Sequence, residues 1–458
     1  TASGTSSNSI TYGMYGTGAK PVITGFASVS GWTSLGGNKW ESAALSSAFS
    51  DINILSINGV NYAKGRTPDT GYWASTSATY TKSSNVGTIT DTANLNASSN
   101  NWTGAQVVFR SQRWVLDKAK ITAASTNKIT FNGEPSTAPG WGYFIQNDPR
   151  TLNLANEWSY NSTSKKITIY STATPNNVKA PVVDVAVNLN NKDYITFDGI
   201  DFTGFNSTGI NTTSGTGITV TNSAFNFIGI DAIYAYPNSV NLKVTNNTFS
   251  EINSRGIHGG SSDNAFISNN ILNKIGNLAG MGSNGDDSYT GIISMGDNGI
   301  VSLNSVTNAG YVGIRWDGKS SQILKNFVDT TNYIKDDGGG IYSYPQQDGT
   351  AYTTRYQGFQ RTVANNIVMN SIGAVAGGEP SSDYSQGEGI YADGLSPNID
   401  FTNNTIYKAK LGLFINGGHE ITATGNTIYD TERGINFMAI PDQYGVQQRA
   451  HDVSLQSN

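Results

Sequence analysis

A short phrase recurs from about Tyr194 to the end of the chain: alternating apolar residues, two polar positions, usually an Asn, then one more apolar residue. In order it reads VTNSAF, VTNNTF, ISNNIL, VSLNSV, ILKNFV, VANNIV, FTNNTI and ATGNTI, with LQSN at the terminus. Aligned on the Asn, the equivalent positions are Ser223, Asn247, Asn270, Asn304, Asn326, Asn366, Asn404, Asn426 and Asn458. The shorter intervals are about 22 to 24 residues, and the longer ones carry inserts of roughly ten to seventeen, as a solenoid does when it takes loops on one face.

Within each period Val, Ile, Thr and Phe alternate with polar residues at period two, which is a strand signal. A second phrase follows the Asn by about ten residues in the short turns: Gly256-Ile257, Gly313-Ile314 and Gly434-Ile435. Several strands per repeat and an Asn at one fixed corner predict an all-β chain folded as a right-handed parallel β-helix, about 22 to 24 residues per coil. Asn suits that corner because it tolerates the left-handed conformation, and stacked amides can hydrogen-bond along the axis.

Residues 1–60 read as N-terminal coils, with Glu41 to Ser50 (ESAALSSAFS) as a short helix. The repeat is lost over 61–170, which reads as a β-rich insertion packed on the helix, with Trp141, Tyr143, Phe144 and Trp158 as its core. Residues 171–458 form the main helix with groove-forming inserts. Both ends read as cut within a coil, so a fragment of a longer parent chain with further domains is expected.

The net charge of −5 and the lack of a basic run argue against a nucleic-acid partner. No apolar run is long enough to span a bilayer. Cysteine is absent, which removes disulfides and thiolate metal sites. The Gly- and Asn-rich, weakly charged composition fits a secreted or cell-surface bacterial protein.

Four stretches, YGTGAKPVITGF, GWGYFIQNDPRTLNLANEWSYN, DGGGIY and GIYADG, together resemble secreted bacterial β-helix proteins of the pectate lyase-like superfamily. Many of these are glycoside hydrolases or polysaccharide lyases, and the β-helical β-xylosidase and fucosidase/xylanase families are the nearest enzyme types. The resemblance implies paired carboxylates on one sheet of the helix. The chain departs from it at Asn156–Asn161, NEWSYN in place of the usual GEWYYD.

Inserts near 273–290, 345–360, 374–387 and 441–450 should wall a groove floored by the Gly-Ile strands. With Ile inward, residues one and three places later point out. That gives a row of His258, Arg315, Tyr342 and Tyr391, and a second row of Asp317, Tyr344 and Asp393. Arg255, Asp286, Asp287, Asp336, Asp337, Glu388 and Arg433 precede the strands at the lip. Such a groove, with Trp316 added, offers flat rings for sugar faces and charged groups for hydroxyls, so the expected partner is a polysaccharide or oligosaccharide.

Asp337 and Glu388 form the expected catalytic pair. Removing the inserts leaves them about one coil apart, on rungs about 4.8 Å apart. Carboxyls about 5 Å apart suit a retaining glycosidase, with Asp337 as nucleophile and Glu388 as acid/base, or with the two roles exchanged. Asp393 competes, and paired with Asp317 at roughly 9.6 Å it would indicate inversion. The expected activity is therefore hydrolysis of glycosidic bonds in a plant or algal polysaccharide, with no metal or cofactor. The alternatives are a lyase using Lys335 with Arg255 and Arg315, with Ca²⁺ then possible, or a non-catalytic glycan-binding solenoid.

Overall fold

The computed structural model describes residues 2–96, 101–345, 359–380, 382, 384–394, 396–438 and 451–458. The chain is a right-handed parallel β-helix carrying a block of antiparallel sheets. Among the described residues three parallel sheets hold 11, 10 and 10 strands, each strand hydrogen-bonded to its counterpart one coil away. One coil shows the pattern: Lys243–Thr245, Thr248–Ile252 and Arg255–His258 each lie in a different sheet. No described helix is long and apolar enough to cross a membrane.

The helix interior is one continuous apolar cluster from Leu189 to Ala423. Matching residues stack coil on coil, as in Phe202, Phe225 and Phe249, whose rings lie 5.0 and 5.1 Å apart. The corner Asn residues form a buried ladder. Asn304 Oδ1 accepts from the backbone N–H and Nδ2 of Asn270 (3.0 and 2.9 Å), while its own Nδ2 donates to Asn326 Oδ1 and Ile267 O (both 3.0 Å). The same pairing continues to Asn458. The left-handed residue of the corner is not the ladder Asn but the one before it, such as Asn246, Asn269, Leu303 and Lys325, with φ of 58°, 56°, 58° and 56°. The ladder Asn is therefore required for its amide, not for its backbone.

Strands Ile10–Gly13 and Val22–Thr24 pair in parallel with Ile195–Asp198 and Asp201–Phe205, giving two sheets their first strand. The chain then leaves the helix, builds antiparallel sheets, and returns at Val185–Asn188. Tyr143, Phe144 and Trp158 are buried in this block and Trp141 is half-buried. The helix expected over Glu41 to Ser50 does not form. Strand Lys39–Glu41 ends there, and Ser42, Ala43 and Leu45 donate their N–H groups to Ile167, Ser30 and Lys165. Neighbouring backbone outcompetes the weak helix propensity of a Ser-rich stretch.

Candidate active-site cleft

The Gly-Ile strands owe their motif to close packing. A Cβ on Gly313 would stand 2.5 Å from Val328 Cγ1 and 2.6 Å from Gly340 O, and one on Gly389 would stand 2.3 Å from Ile406 Cγ2. Gly and the following Ile thus both face the core, a break in the usual alternation. The residue before the Gly is thereby turned outward, and Glu388 lies opposite Gly339 and Leu411 on the outer face.

Outward residues of successive rungs align in register as Tyr234, His258, Ile293, Arg315, Tyr342, Tyr391 and Phe414. This row was expected to be an exposed floor, but His258, Tyr342 and Tyr391 keep only 5%, 8% and 3% of their surface. Val108, Leu116 and Phe144 of the antiparallel block pack with Tyr342, Tyr391 and Phe414 in a second apolar cluster. The block therefore roofs the sheet. Of the expected wall inserts, that near 273–290 separates strands Ile271–Ile275 and Ile292–Ser294, and that near 374–387 precedes Gly387–Ala392. Most of 345–360 and all of 441–450 lie outside the described residues.

Three carboxylates meet beside this roof. Asp337 sits just before strand Gly338–Ser343, with φ of 57° and its N–H on Gln386 O at 2.9 Å. Glu388 pairs with Gly339, so it is set two residues along from the position facing Asp337. The two residues therefore stand on neighbouring rungs, offset by two residues along the strand, an offset that the count through the inserts does not give. Glu388 is fully buried, and among the described residues no other residue donates a hydrogen bond to its carboxyl oxygens. Burial and then Asp337 hold its carboxyl well above the usual range. Asp337 is half-buried. Burial, then the charge of Asp393, push it up to about 7, against an opposing pull from Arg113.

Asp393 is also half-buried. Its Oδ2 accepts from Tyr342 Oη at 2.9 Å, and its Oδ1 accepts from Asn416 Nδ2 at 2.8 Å and Gly394 N at 2.7 Å. Burial raises its pKa, and these donors oppose the rise by stabilising the anion. The charge of Asp393 is in turn one of the causes that raise Asp337.

The remaining expected site residues are mostly tied up. Arg255 is clamped on Asp231 through Nε and Nη2 (2.5 and 2.8 Å). His258 lies between the rings of Tyr234 and Tyr236, and burial with nearby Arg255 and Arg315 holds its imidazole well below its usual pKa, hence neutral. Arg315 pairs with Asp287 and lies over the Tyr342 ring at 5.9 Å. Trp316 does not face the cleft. Two places from Ile314, it belongs to the helix core and is 1% exposed. Asp317 is equally withdrawn, buried against Arg361 Nη1 at 2.7 Å, which removes the inverting pair with Asp393. Tyr344 is half-buried and its ring would meet a Cβ on Gly394. Lys335 is fully buried, donating to Asp286 O (2.7 Å) and Ser288 Oγ (3.2 Å), so it pins the 285–288 loop and does not reach the cleft as a lyase base.

Asp336 is nearly fully buried. It accepts from Gln386 N (2.7 Å) and from Nε (2.9 Å) and Nη2 of Arg113, which also donates to Ser382 Oγ and Tyr384 O. Arg113 belongs to the antiparallel block, and no repeat signals it. Tyr311, whose Oη donates to Asp337 O at 2.7 Å, was also missed. Asn416 was within reach of the alternation rule, since counting three places on from inward Leu413 gives it. Among the described residues no group of three or more His, Asp or Glu side chains could hold a metal ion.

No protein-family profile matches the chain, and no curated relative matches it. Solved structures do. One described as a glycoside hydrolase superposes with a TM-score of 0.61 at 11% identity, over 96% of this chain and 82% of that one. The complex of XylC with xylose gives a TM-score of 0.47 at 11% identity, over 100% of this chain and 78% of that one. The catalytic unit of a thermostable GH87 α-1,3-glucanase from Streptomyces thermodiastaticus gives 0.39 at 10% identity, over 84% and 87%. At 11% identity the first likeness is one of fold, the parallel β-helix.

Proposed function

We propose that this chain is a glycoside hydrolase that cleaves a polysaccharide between Asp337 and Asp393. The observation that carries the reading is their unequal environment. Three hydrogen bonds favour the charged form of Asp393, while burial and the charge of Asp393 push Asp337 up to about 7. Two carboxyls whose environments push their protonation apart divide into acid and base roles. Asp337 is the general acid, protonating the leaving oxygen. Asp393 is the carboxylate facing the developing positive charge, as nucleophile or as base for water. Glu388, shut off from solvent, lies behind Asp337 and does not touch the sugar. A lyase reading loses its base, because Lys335 is spent on the 285–288 loop. A plant or algal polysaccharide, met outside a bacterial cell, fits the weakly charged, hydroxyl- and amide-rich composition.

The test is a screen of plant and algal polysaccharides with wild type, Asp337→Asn and Asp393→Asn. Hydrolysis gives new reducing ends without the ultraviolet absorbance of an unsaturated product, and both variants lose it. Turnover that survives both substitutions overturns the assignment, and glycan binding without any turnover by wild type overturns the enzyme reading.

A further inference from the structure

A second groove lies on the Asp337 side of the cleft, where the antiparallel block meets residues 375–380 and Ser382. It is a cavity of about 310 Å³ bordered by Tyr72, Trp73, Gly140, Gly377, Glu379 and Ser382. Three contacts build it. The Gly142 N–H donates to Gly377 O at 2.8 Å. A Cβ on Gly377 would stand 2.5 Å from the Tyr72 ring, and one on Gly140 would stand 2.6 Å from Pro380. Only glycines let the segment come this close. The walls are therefore fixed by backbone contact. The floor is mixed, with the Trp73 ring set edge-on against Tyr143 at 5.8 Å and Tyr72 tilted on Phe144 at 5.7 Å. Both Tyr72 and Trp73 remain half-buried, with ring surface left to offer.

One side chain joins this groove to the carboxylates. Arg113 donates through Nη1 to Ser382 Oγ (3.1 Å), which borders the groove, and through Nε to Asp336 (2.9 Å), the neighbour of Asp337. The groove is thus attached to the acid and not to Asp393, which is held from the other direction by Tyr342 and Asn416. The general acid delivers its proton to the leaving group, so what extends past it is the departing sugar chain.

We infer that the Tyr72–Trp73 groove is a subsite for a sugar of the leaving-group side, one that makes the enzyme act on oligomers and polymers. The inference rests on Asp337 being the acid. A pyranose suits the chemistry: its C–H face packs on an indole or phenol ring, while its hydroxyls reach the Glu379 carboxylate, Ser382 and the backbone of the segment. Contacts this far from the scissile bond are used in the transition state, so their loss appears in kcat as well as KM.

The experiment compares wild type, Trp73→Ala and Trp73→Phe on the hexasaccharide of whichever polysaccharide is cut, and on an aryl glycoside of the same sugar, whose small leaving group cannot fill the groove. Trp73→Ala should lower kcat/KM on the hexasaccharide about tenfold, the effect of losing one ring contact of ~1.4 kcal/mol. The loss on the aryl glycoside should be much smaller, and Trp73→Phe should recover most of the hexasaccharide rate. Equal losses on both substrates, or none on either, overturn the subsite, with circular dichroism melting used to exclude a misfolded variant. If wild type cuts nothing, the hydrolase reading has failed, and the groove is read by binding. Xylo-, cello- and laminarihexaose are titrated into wild type and Trp73→Ala while tryptophan fluorescence and calorimetry are followed. Binding to wild type that weakens about tenfold in Trp73→Ala supports the groove as a sugar site. Absence of binding, or equal binding, overturns it.

Discussion

The Tyr342 hydroxyl donates to Asp393 Oδ2 at 2.9 Å from the neighbouring rung. Tyr342 pairs with Tyr391, so the bond runs diagonally to a residue two places further along. Because the ring is buried under the antiparallel block, its hydroxyl is fixed in direction and favours the charged form of Asp393.

Removing that donor should therefore raise the pKa of Asp393. Asp393 must be ionised to act, so in Tyr342→Phe the acid limb of the pH–rate profile should move to higher pH. The rate at the optimum should fall roughly tenfold or more, the usual size of one hydrogen bond to a charged group. A profile of kcat/KM against pH with an unmoved acid limb would show that this contact does not govern the charge.

With Asp337 as the proposed general acid, the alkaline limb belongs to it. A general acid must carry its proton, and this carboxyl gives it up at about 7, so activity should decline as pH rises through that value. Asp337→Asn cannot donate a proton. It should lose activity by roughly 10³-fold and lose the alkaline limb as well. An alkaline limb that persists in the residual activity of the variant would assign it to another group.

How much of this could be read beforehand depends on where each residue gets its neighbours. The coil, its corners and the inward Ile positions were legible because every repeat states the same requirement again. The rows containing Tyr342, Tyr391 and Asp393 followed from alternation alone, and the same counting would have found Asn416. Glu388 was placed one rung from Asp337 but not in its true offset, since only hydrogen-bond register reveals which residue it faces. The roof was invisible. Val108 and Leu116 come from antiparallel strands without a repeat, Arg113 from the turn between them, and Arg113 meets Asp336 across 223 residues of sequence. The cleft was thus read as open when it is half covered. Asp317 and Trp316 looked available for the same reason, as nothing local announces Arg361 or the core packing that claims them.

Glu388 carries a stability consequence. Its carboxyl is raised by burial, so the folded state holds a proton that the unfolded state releases once pH passes its ordinary value near 4.5. Its contribution is fully present below that value and is lost as pH rises toward and through the folded pKa. Glu388→Gln cannot ionise in either state. At pH 4 the variant should melt close to wild type, and at pH 8 it should melt higher, as scanning calorimetry at the two pH values would register. A lower melting temperature at pH 8 would mean that Glu388 has a charged partner in solution.

The Asn ladder should be the most costly surface-remote feature to break. Asn304→Ala takes the shared acceptor from the Asn270 N–H and Nδ2 and the Nδ2 donor from Ile267 O, while Asn326 Oδ1 keeps only the backbone N–H of residue 304, all inside the stack. Each buried group left unpaired costs about 1–3 kcal/mol, so a loss of roughly 3 kcal/mol or more is expected by denaturant unfolding. Leu303→Gly, one residue away, should go the other way. Leu303 is exposed and holds φ of 58°, a conformation that favours glycine, so relief of that strain should offset the greater chain entropy and raise the unfolding midpoint slightly.

Arg113 links stability to catalysis. It neutralises buried Asp336 and, from the same place, pulls the pKa of Asp337 down. Arg113→Ala leaves Asp336 buried without its cation, which should cost roughly 3–5 kcal/mol. Adding Asp336→Asn removes the stranded charge and should return much of that stability. The pH profile separates the two effects. With Arg113 gone, its downward pull on Asp337 is lost, so the proton is held more tightly and the alkaline limb should move to higher pH in the single variant. The double variant also lacks the Asp336 charge that raises Asp337, so its limb should fall back toward wild type. A limb that stays put in both, with stability lost and regained as described, would reduce Arg113 to a clamp between block and helix and remove it from the chemistry.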